Sequence, residues 1–466
     1  MTATNSRSRA PAALPAPPIA PRRMQSLVTG RRAMRWLAIA IPPLLAGYAL
    51  FDKGFAYIRI PGSPIFFGEL LMFACLAAAC LATPYVRRGL EHSTVAKLLL
   101  AFVVWGLVRT VPNIGTYGLD AVRDAALWYY SLVALAVCAL VLHDRDLVRR
   151  WSDGYRRFIP WLIFLSPVLV LLAKTPNHLP PTVPGSSFSF WDHKFGNLAV
   201  QVTIAVAFLW LVPGANRRSR AIMTAVATVV FLMVATQNRG GFVAALAGLG
   251  VLWLFTKRRG RLALAFISTI GLLFAIAWGA NIHIEGTQHR QVSVEQFVQN
   301  LHSLTGGEAK ANGNLATNVE FRDQLWSGVL AKVKKEKRVL TGLGFGPNIA
   351  RELGFQGQQQ IQLRSPHNSH LDVFARMGLI GAAIWVAIFG VWLWVGLRAR
   401  RRLRALGRAL EAGLIEVSIV GVTAMLVNAY FDPALESPQV ALWLWALVGL
   451  TMGIVGISRR ATPSPA

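Results

Sequence analysis

The sequence predicts an all-α polytopic membrane protein with about twelve transmembrane helices and one large extracytoplasmic loop domain between spans nine and ten. Three observations predict it. Hydrophobic residues make up 54% of the chain and charged residues only 15%, against roughly 25% charge in a soluble domain. The apolar residues gather in blocks of about 17–22, the helix length that crosses a hydrocarbon core about 30 Å thick. Basic clusters recur in alternate connections between those blocks, as membrane topology demands. A mean hydropathy of +0.46 and 15 tryptophans agree with this class.

Residues 1–34 are rich in Pro, Ala and Arg and contain no apolar run, so they read as a disordered cytoplasmic tail rather than a cleavable signal peptide. Apolar blocks follow near 35–51, 64–83, 95–112, 125–142, 157–173, 196–213, 219–237, 241–256 and 261–281, giving helices one to nine within 35–281. The interruption Asn238-Arg239-Gly240-Gly241 marks a tight turn between two spans rather than one broken helix. Residues 282–368 are polar enough for a small helical extracytoplasmic domain. Within it, Val294, Phe297, Val298, Leu301 and Leu304 have helical spacing, as do Phe321, Leu325, Val329 and Val333. Blocks at 370–396, 411–429 and 438–457 complete helices ten to twelve within 369–457, and 458–466 form a second cytoplasmic tail.

The net charge of +27 does not point to nucleic acid, because the arginines and lysines are not gathered on one soluble face. Arg87 and Arg88, Arg149 and Arg150, Arg217 and Arg218, Lys257 to Arg259, and Arg400 to Arg402 lie on one set of connections. Both termini are therefore expected in the cytoplasm. Cys75, Cys80 and Cys138 sit in apolar blocks and show no metal or disulfide spacing.

Three polar stretches face the other side, where ionisable groups near span ends need a reason. In "FSFWDHKFGN", Asp192, His193 and Lys194 precede the sixth span. In "TQNRGG", Arg239 occupies a short outer turn on the side where arginine is disfavoured. In "LTGLGFGPN", Gly342, Gly344 and Gly346 suggest a turn with exposed backbone N–H groups. "SPHNSH" then reads as a helix start with Asn368 or Ser369 as cap. A span starting there aims its positive end outward, which favours phosphate. His367 and His370 have spacing suited to a metal, but no third ligand stands out.

Taken together, "VEFRDQLWSGVLAKVKKEKRVLTGLGFGPN" and "SPHNSHLDVFARMGLIG" resemble the O-antigen ligase and polymerase superfamily of bacterial membrane glycosyltransferases. The residues that carry the resemblance are Arg322, Trp326, Gly342, Gly344, Gly346, His367, Asn368, Leu371 and Gly378 to Gly381, with Arg239 matching the family's outer arginine. The family has an arginine before the "GN" of the sixth span, where this chain has Lys194.

The resemblance implies an inner-membrane enzyme with its active site facing the periplasm. The donor would be a glycan on polyprenyl diphosphate and the acceptor a glycan or glycolipid, in a bilayer of membrane lipids and with no nucleic acid. Arg239, Lys194, Arg364 and Asn368 would bind the diphosphate. His367 would act as general base or orient the diphosphate. Arg322, Trp326 and the three glycines would support the site. No outer carboxylate pair suits a two-carboxylate scheme, so a single inverting displacement is expected. Scattered acidic residues with no DxD-like cluster lead us to expect neither a metal nor another cofactor. Ligase is the favoured reading, polymerase of repeat units the alternative, and secondary transporter the distant one.

Overall fold

The computed structural model describes residues 21–60, 66–82, 93–172, 189–279, 314–355 and 364–460, with Arg87, Glu91, 181–183 and Ser186. It is all-helical, with only two isolated antiparallel bridges among the described residues, Arg59 to Phe66 and Thr182 to Ser189. We name the principal helices α1 (Pro21–Ala56), α2 (Phe67–Leu81), α3 (Thr94–Thr110), α4 (Leu132–His143), α5 (Asp146–Leu172), α6 (Phe195–Leu211) and α7 (Arg217–Gln237). They continue as α8 (Arg239–Phe255), α9 (Arg259–Gly279), α10 (Asn314–Lys335), α11 (Ser369–Ala405), α12 (Ala409–Phe431) and α13 (Pro438–Arg460). Short helical turns at Leu119–Asp124 and Ala126–Tyr129 lead into α4.

Each expected apolar block carries a helix. Among the described residues, seven helices are long and apolar enough to cross a membrane, or eight if the pair bent by 43° before and within α4 is one span. The chain is thus a multi-pass membrane protein. The shorter apolar helices α2, α6 and α8 have 15, 17 and 17 residues. At 1.5 Å per residue, 17 residues reach about 25 Å, less than a full hydrocarbon core. Part of the tail expected over 1–34 is helical: α1 opens at Pro21, whose fixed φ suits a first helical position, and runs through 21–34. Residues 1–20 and the expected helix over 293–304 lie outside the described residues, as do 461–466, while α13 runs through Arg460.

Polar side chains fix the helix starts by taking orphan N–H groups. Ser93 Oγ accepts from Ala96 N (3.3 Å), Asn216 Oδ1 from Ser219 N (2.7 Å) and Asn238 Oδ1 from Gly241 N (2.9 Å). The interior is a continuous apolar core around α4, α6, α12 and α13. Small residues allow close helix approach there, as in other membrane bundles: Gly449 faces the Ala134 backbone and Gly248 faces Thr203 and Ala424.

Arginines gather at one end of the bundle. Arg400 and Arg404 clamp the fully buried Glu416 at 2.6 and 2.5 Å, and Arg408 pairs with Glu411 at 2.6 Å. The opposite end holds a second, smaller apolar cluster. In it Leu325, Val329 and Val333 of α10 pack on Ile349, Ala350 and Ala375, so the helical spacing read in this segment does bury one face.

Candidate active site

At the end opposite the arginines, α1 breaks at Asp52, which has φ 39°. A non-glycine residue in that region is uncommon and persists only where its surroundings hold it. Here the carboxylate is held. Asp52 is 2% exposed, and its oxygens accept from Lys194 N at 2.6 Å and Asn197 Nδ2 at 2.9 Å. A carboxylate against the first turn of α6 satisfies an orphan donor and complements the helix dipole. Asn197 Oδ1 in turn accepts from Asn428 Nδ2 at 3.2 Å, so α1, α6 and α12 are tied in one chain of hydrogen bonds. His193 is a brace beside it, its ring nitrogens 3.0 and 2.6 Å from the carbonyls of Trp191 and Leu50.

With its backbone held, Lys194 extends its ammonium to Asp432 at the end of α12, 2.9 Å away. Burial alone would lower the lysine and raise the carboxyl. The opposite charge outweighs burial for both, so Lys194 is held above and Asp432 below its ordinary value. Arg322 of α10 reaches the same place and donates to Phe431 O at 3.0 Å. One helical turn on, Trp326 Nε1 donates to Pro366 O at 2.8 Å and its ring meets Tyr430 edge-on. The i, i+4 spacing puts both side chains on one face of α10.

These groups surround a cavity of about 220 Å³ lined by His193, Lys194, Asn238, Gly240, Arg322, Asn428 and Asp432, with Phe195 and Phe431. The expected tight turn is present: α7 ends at Gln237 and α8 begins at Arg239. Its glycines are forced by packing, since a Cβ on Gly240 would meet Phe431 and one on Gly241 would meet the Gly196 backbone. Arg239 is half-buried and lies between two cavity-lining residues, Asn238 and Gly240.

His367 precedes α11 at φ 53° and, like Asp52 and Lys337, is a non-glycine residue with positive φ. It is half-buried. Burial lowers its pKa, the nearby charges of Lys194 and Arg322 lower it further, and Asp432 acts the other way. The imidazole is therefore neutral near pH 7 and sits in the field of the same groups that line the cavity.

Other expected site residues are placed differently. Asn368 is the cap of α11: its Oδ1 accepts from His370 N at 3.0 Å and Leu371 N at 3.1 Å, so these donors of the first turn face inward. Arg364 lies in a separate network, bonded to Asp120 (2.9 Å), Asp124 (3.0 Å) and Gly346 O (2.8 Å). Arg376 adds ion pairs of 3.0 Å to Asp124 and to Asp372.

The turn through Gly342, Gly344 and Gly346 does not offer exposed N–H groups. Gly342 N donates to Arg338 O, Leu343 N to Ala375 O, Gly344 N to Arg376 O, Phe345 N to Arg109 O and Gly346 N to Asp124 Oδ2. It docks instead on a break in α11 at Gly378 (φ 68°), where Leu379 N and Ile380 N donate back to Val339 O and Leu340 O. Side chains at Gly342 or Gly378 would run into the opposing backbone. The two glycine motifs are thus one backbone-to-backbone joint.

Sequence reasoning missed Asp52, Asn197 and Asn428, and it gave Asp432 no role, treating the acidic residues only as scattered. The available signal was polarity inside or beside apolar blocks, which is costly without a partner. The partners themselves are far apart in sequence. Chemically, the cavity joins an ammonium, a guanidinium, two amides and a carboxylate beside a neutral imidazole, a set suited to an anionic group with hydroxyls attached. Residues 224–386 match the family model described as O-antigen ligase. No curated protein matches the chain.

Proposed function

We propose, for a chain whose residues 224–386 match the O-antigen ligase family model, that the cavity binds the diphosphate of a polyprenyl-diphosphate-linked glycan and that the enzyme transfers the glycan to an acceptor sugar hydroxyl. The observation that carries this reading is the convergence of Lys194, Arg322 and Asp432 on one cavity within the field of His367.

In this reading the acceptor hydroxyl attacks the anomeric carbon from the face opposite the diphosphate. The new glycosidic bond forms as the bond to the diphosphate oxygen breaks, and the leaving group keeps the electron pair. His367 takes the hydroxyl proton, and its lowered pKa keeps it in the basic form. Fixed cations stabilise the charge that builds on the diphosphate. Lys194 gives up Asp432 for phosphate, and Arg322 and Arg239 add guanidinium donors. Asp432, released, stabilises the imidazolium. Asn368 contributes by fixing the start of α11 and thereby His367. Arg364 contributes by holding the preceding loop, since its donors already have acceptors.

The protein's own cations supply the sign of charge that a divalent metal would otherwise bring, so the proposed reaction runs without one. Purified protein with its lipid-linked donor should keep its turnover after exhaustive chelation. Loss restored by magnesium or manganese would overturn this part. Between the family's two activities we favour ligase, at the periplasmic face of the inner membrane, because the family model matched over residues 224–386 carries the description O-antigen ligase. Deletion followed by lipid and polysaccharide analysis separates them. Loss of capped lipid core with polymer retained means ligase, and accumulation of single repeat units means polymerase.

A further inference from the structure

A larger cavity, about 450 Å³, lies toward the arginine-rich end between α1, α4, α5, α6, α12 and α13. It shares no lining residue with the cavity described above, and its lining is aliphatic or aromatic apart from a few positions. Nearly all of those polar positions already have partners. Pro42 leaves the Ala38 carbonyl, four residues earlier, without its helical donor. Trp151 Nε1 takes that carbonyl at 3.1 Å. Trp443 Nε1 donates to Leu45 O, Ser152 Oγ to Val148 O, and Arg150 pairs with Asp144.

One lining group differs. Tyr155 packs against Phe208 and Trp443, both cavity residues, at ring distances of 5.1 and 5.8 Å. Its buried hydroxyl has no hydrogen-bond partner among the described residues. Water is a poor occupant of the interior, because a buried water needs two to four polar partners and the Tyr155 hydroxyl is the single buried lining side-chain group without one among the described residues, Arg150 being 60% exposed at the mouth. The complement to the wall is a long hydrocarbon chain with one acceptor at its polar end.

The rim says what that end carries. Arg145, Arg149, Arg150 and Arg157 are exposed at the start of α5, and Arg31, Arg32 and Arg35 are exposed on the neighbouring part of α1. Asp144 pairs with Arg150, and Asp153 lies 4.0 Å from Arg149. Counting Asp146 as well, the rim keeps an excess of positive charge, which attracts anionic headgroups.

We infer that this cavity binds one acyl chain of an anionic glycerophospholipid, with the Tyr155 hydroxyl donating to its ester carbonyl and the arginines of α1 and α5 facing its phosphate. The lipid ties α1, α6 and α12 together at this end. The opposite ends of the same helices carry Asp52, Lys194 and Asp432.

The test uses binding, so it stands apart from any assay of glycosyl transfer. Full-length protein stripped of lipid in detergent is titrated with dioleoylphosphatidylglycerol or dioleoylphosphatidylcholine. Bound lipid is counted by native mass spectrometry and stability is followed by thermal shift. We expect one phosphatidylglycerol per chain, bound at least about fivefold more tightly than phosphatidylcholine with the same acyl chains. Tyr155→Phe keeps the ring and should weaken that binding about fivefold, the scale of one hydrogen bond. Ala446→Trp fills the cavity from α13 and should abolish it. Equal affinity for the two lipids overturns the inference, as does unchanged binding in either variant. Displacement of the lipid by a polyprenyl phosphate at equal concentration also overturns it, since the cavity would then be a subsite for the donor's tail.

Discussion

Lys194 and Asp432, 238 residues apart in the chain, form an ion pair of 2.9 Å that joins the start of α6 to the end of α12. Their side chains are 30% and 25% exposed, so solvent screens the pair and it adds little to stability. Its consequence is chemical: the ammonium is fixed in place, and a diphosphate can replace the carboxylate because it carries more negative charge.

Lys194→Ala should therefore lower turnover by about 10²-fold, the usual effect of removing one transition-state donor, whereas Lys194→Arg should keep most of it. The assay is transfer from purified lipid-linked donor by protein that still inserts. Equal loss in both variants would show that the position is constrained for another reason.

His367→Ala and Arg239→Ala should each nearly abolish transfer without loss of membrane insertion. The pH profile is more specific. Activity needs the neutral imidazole, and His367 is held below the ordinary 6.5, mainly by burial. The acid limb of kcat/KM should lie below that value. Asp432→Asn removes the charge that favours the imidazolium, so the limb should move to lower pH. Lys194→Ala removes a charge that opposes it, so whatever activity remains should show the limb at higher pH. A limb that moves in neither variant would remove His367 as the base.

Gly342→Ala and Gly378→Ala should each lower the yield of folded protein sharply. Both positions have φ near 70°, and in both a Cβ would strike the facing backbone. The strain alone is worth about 1–3 kcal/mol, before any steric displacement. Gly390→Ala, also in α11 but with open space around it, is the control and should be silent. Fluorescence-detected gel filtration of detergent extracts reads all three.

Arg376 is 1% exposed between Asp124 and Asp372. Arg376→Met strands Asp372, while Asp124 keeps Arg364, and should cost about 3–5 kcal/mol, the range for breaking a buried pair. A thermal midpoint equal to wild type would show that the network is dispensable to the fold.

Orientation is tested with single cysteines in a background lacking Cys75, Cys80 and Cys138. Lys335→Cys, at the site end, should react with an impermeant thiol reagent in cells freed of their outer barrier. Leu406→Cys, at the arginine-rich end, should react only after lysis. The reverse pattern would put the proposed site in the cytoplasm.

The helices themselves were legible because they depend on local information. An apolar block of sufficient length must be helical in a bilayer, and caps such as Asn238 and Asn368 act within three residues. Lys194, Arg239 and His367 could be singled out for the same reason, as polar groups next to apolar runs, whereas Arg322 was named only through the family resemblance. What those groups do was decided by contacts between distant segments. Nothing near Arg364 announces that Asp120 and Asp124 hold it, and nothing in Gly342 to Gly346 announces that its N–H groups meet α11 at Gly378. Asp52 closes onto Lys194 from 142 residues away, and Asp432 from 238. Hydropathy and spacing thus determined where the apolar helices lie and which stretches are polar, because solvent acts on each residue separately. Only the tertiary structure decided which cations line a cavity and which are already paired, because pairing is a property of two residues at once.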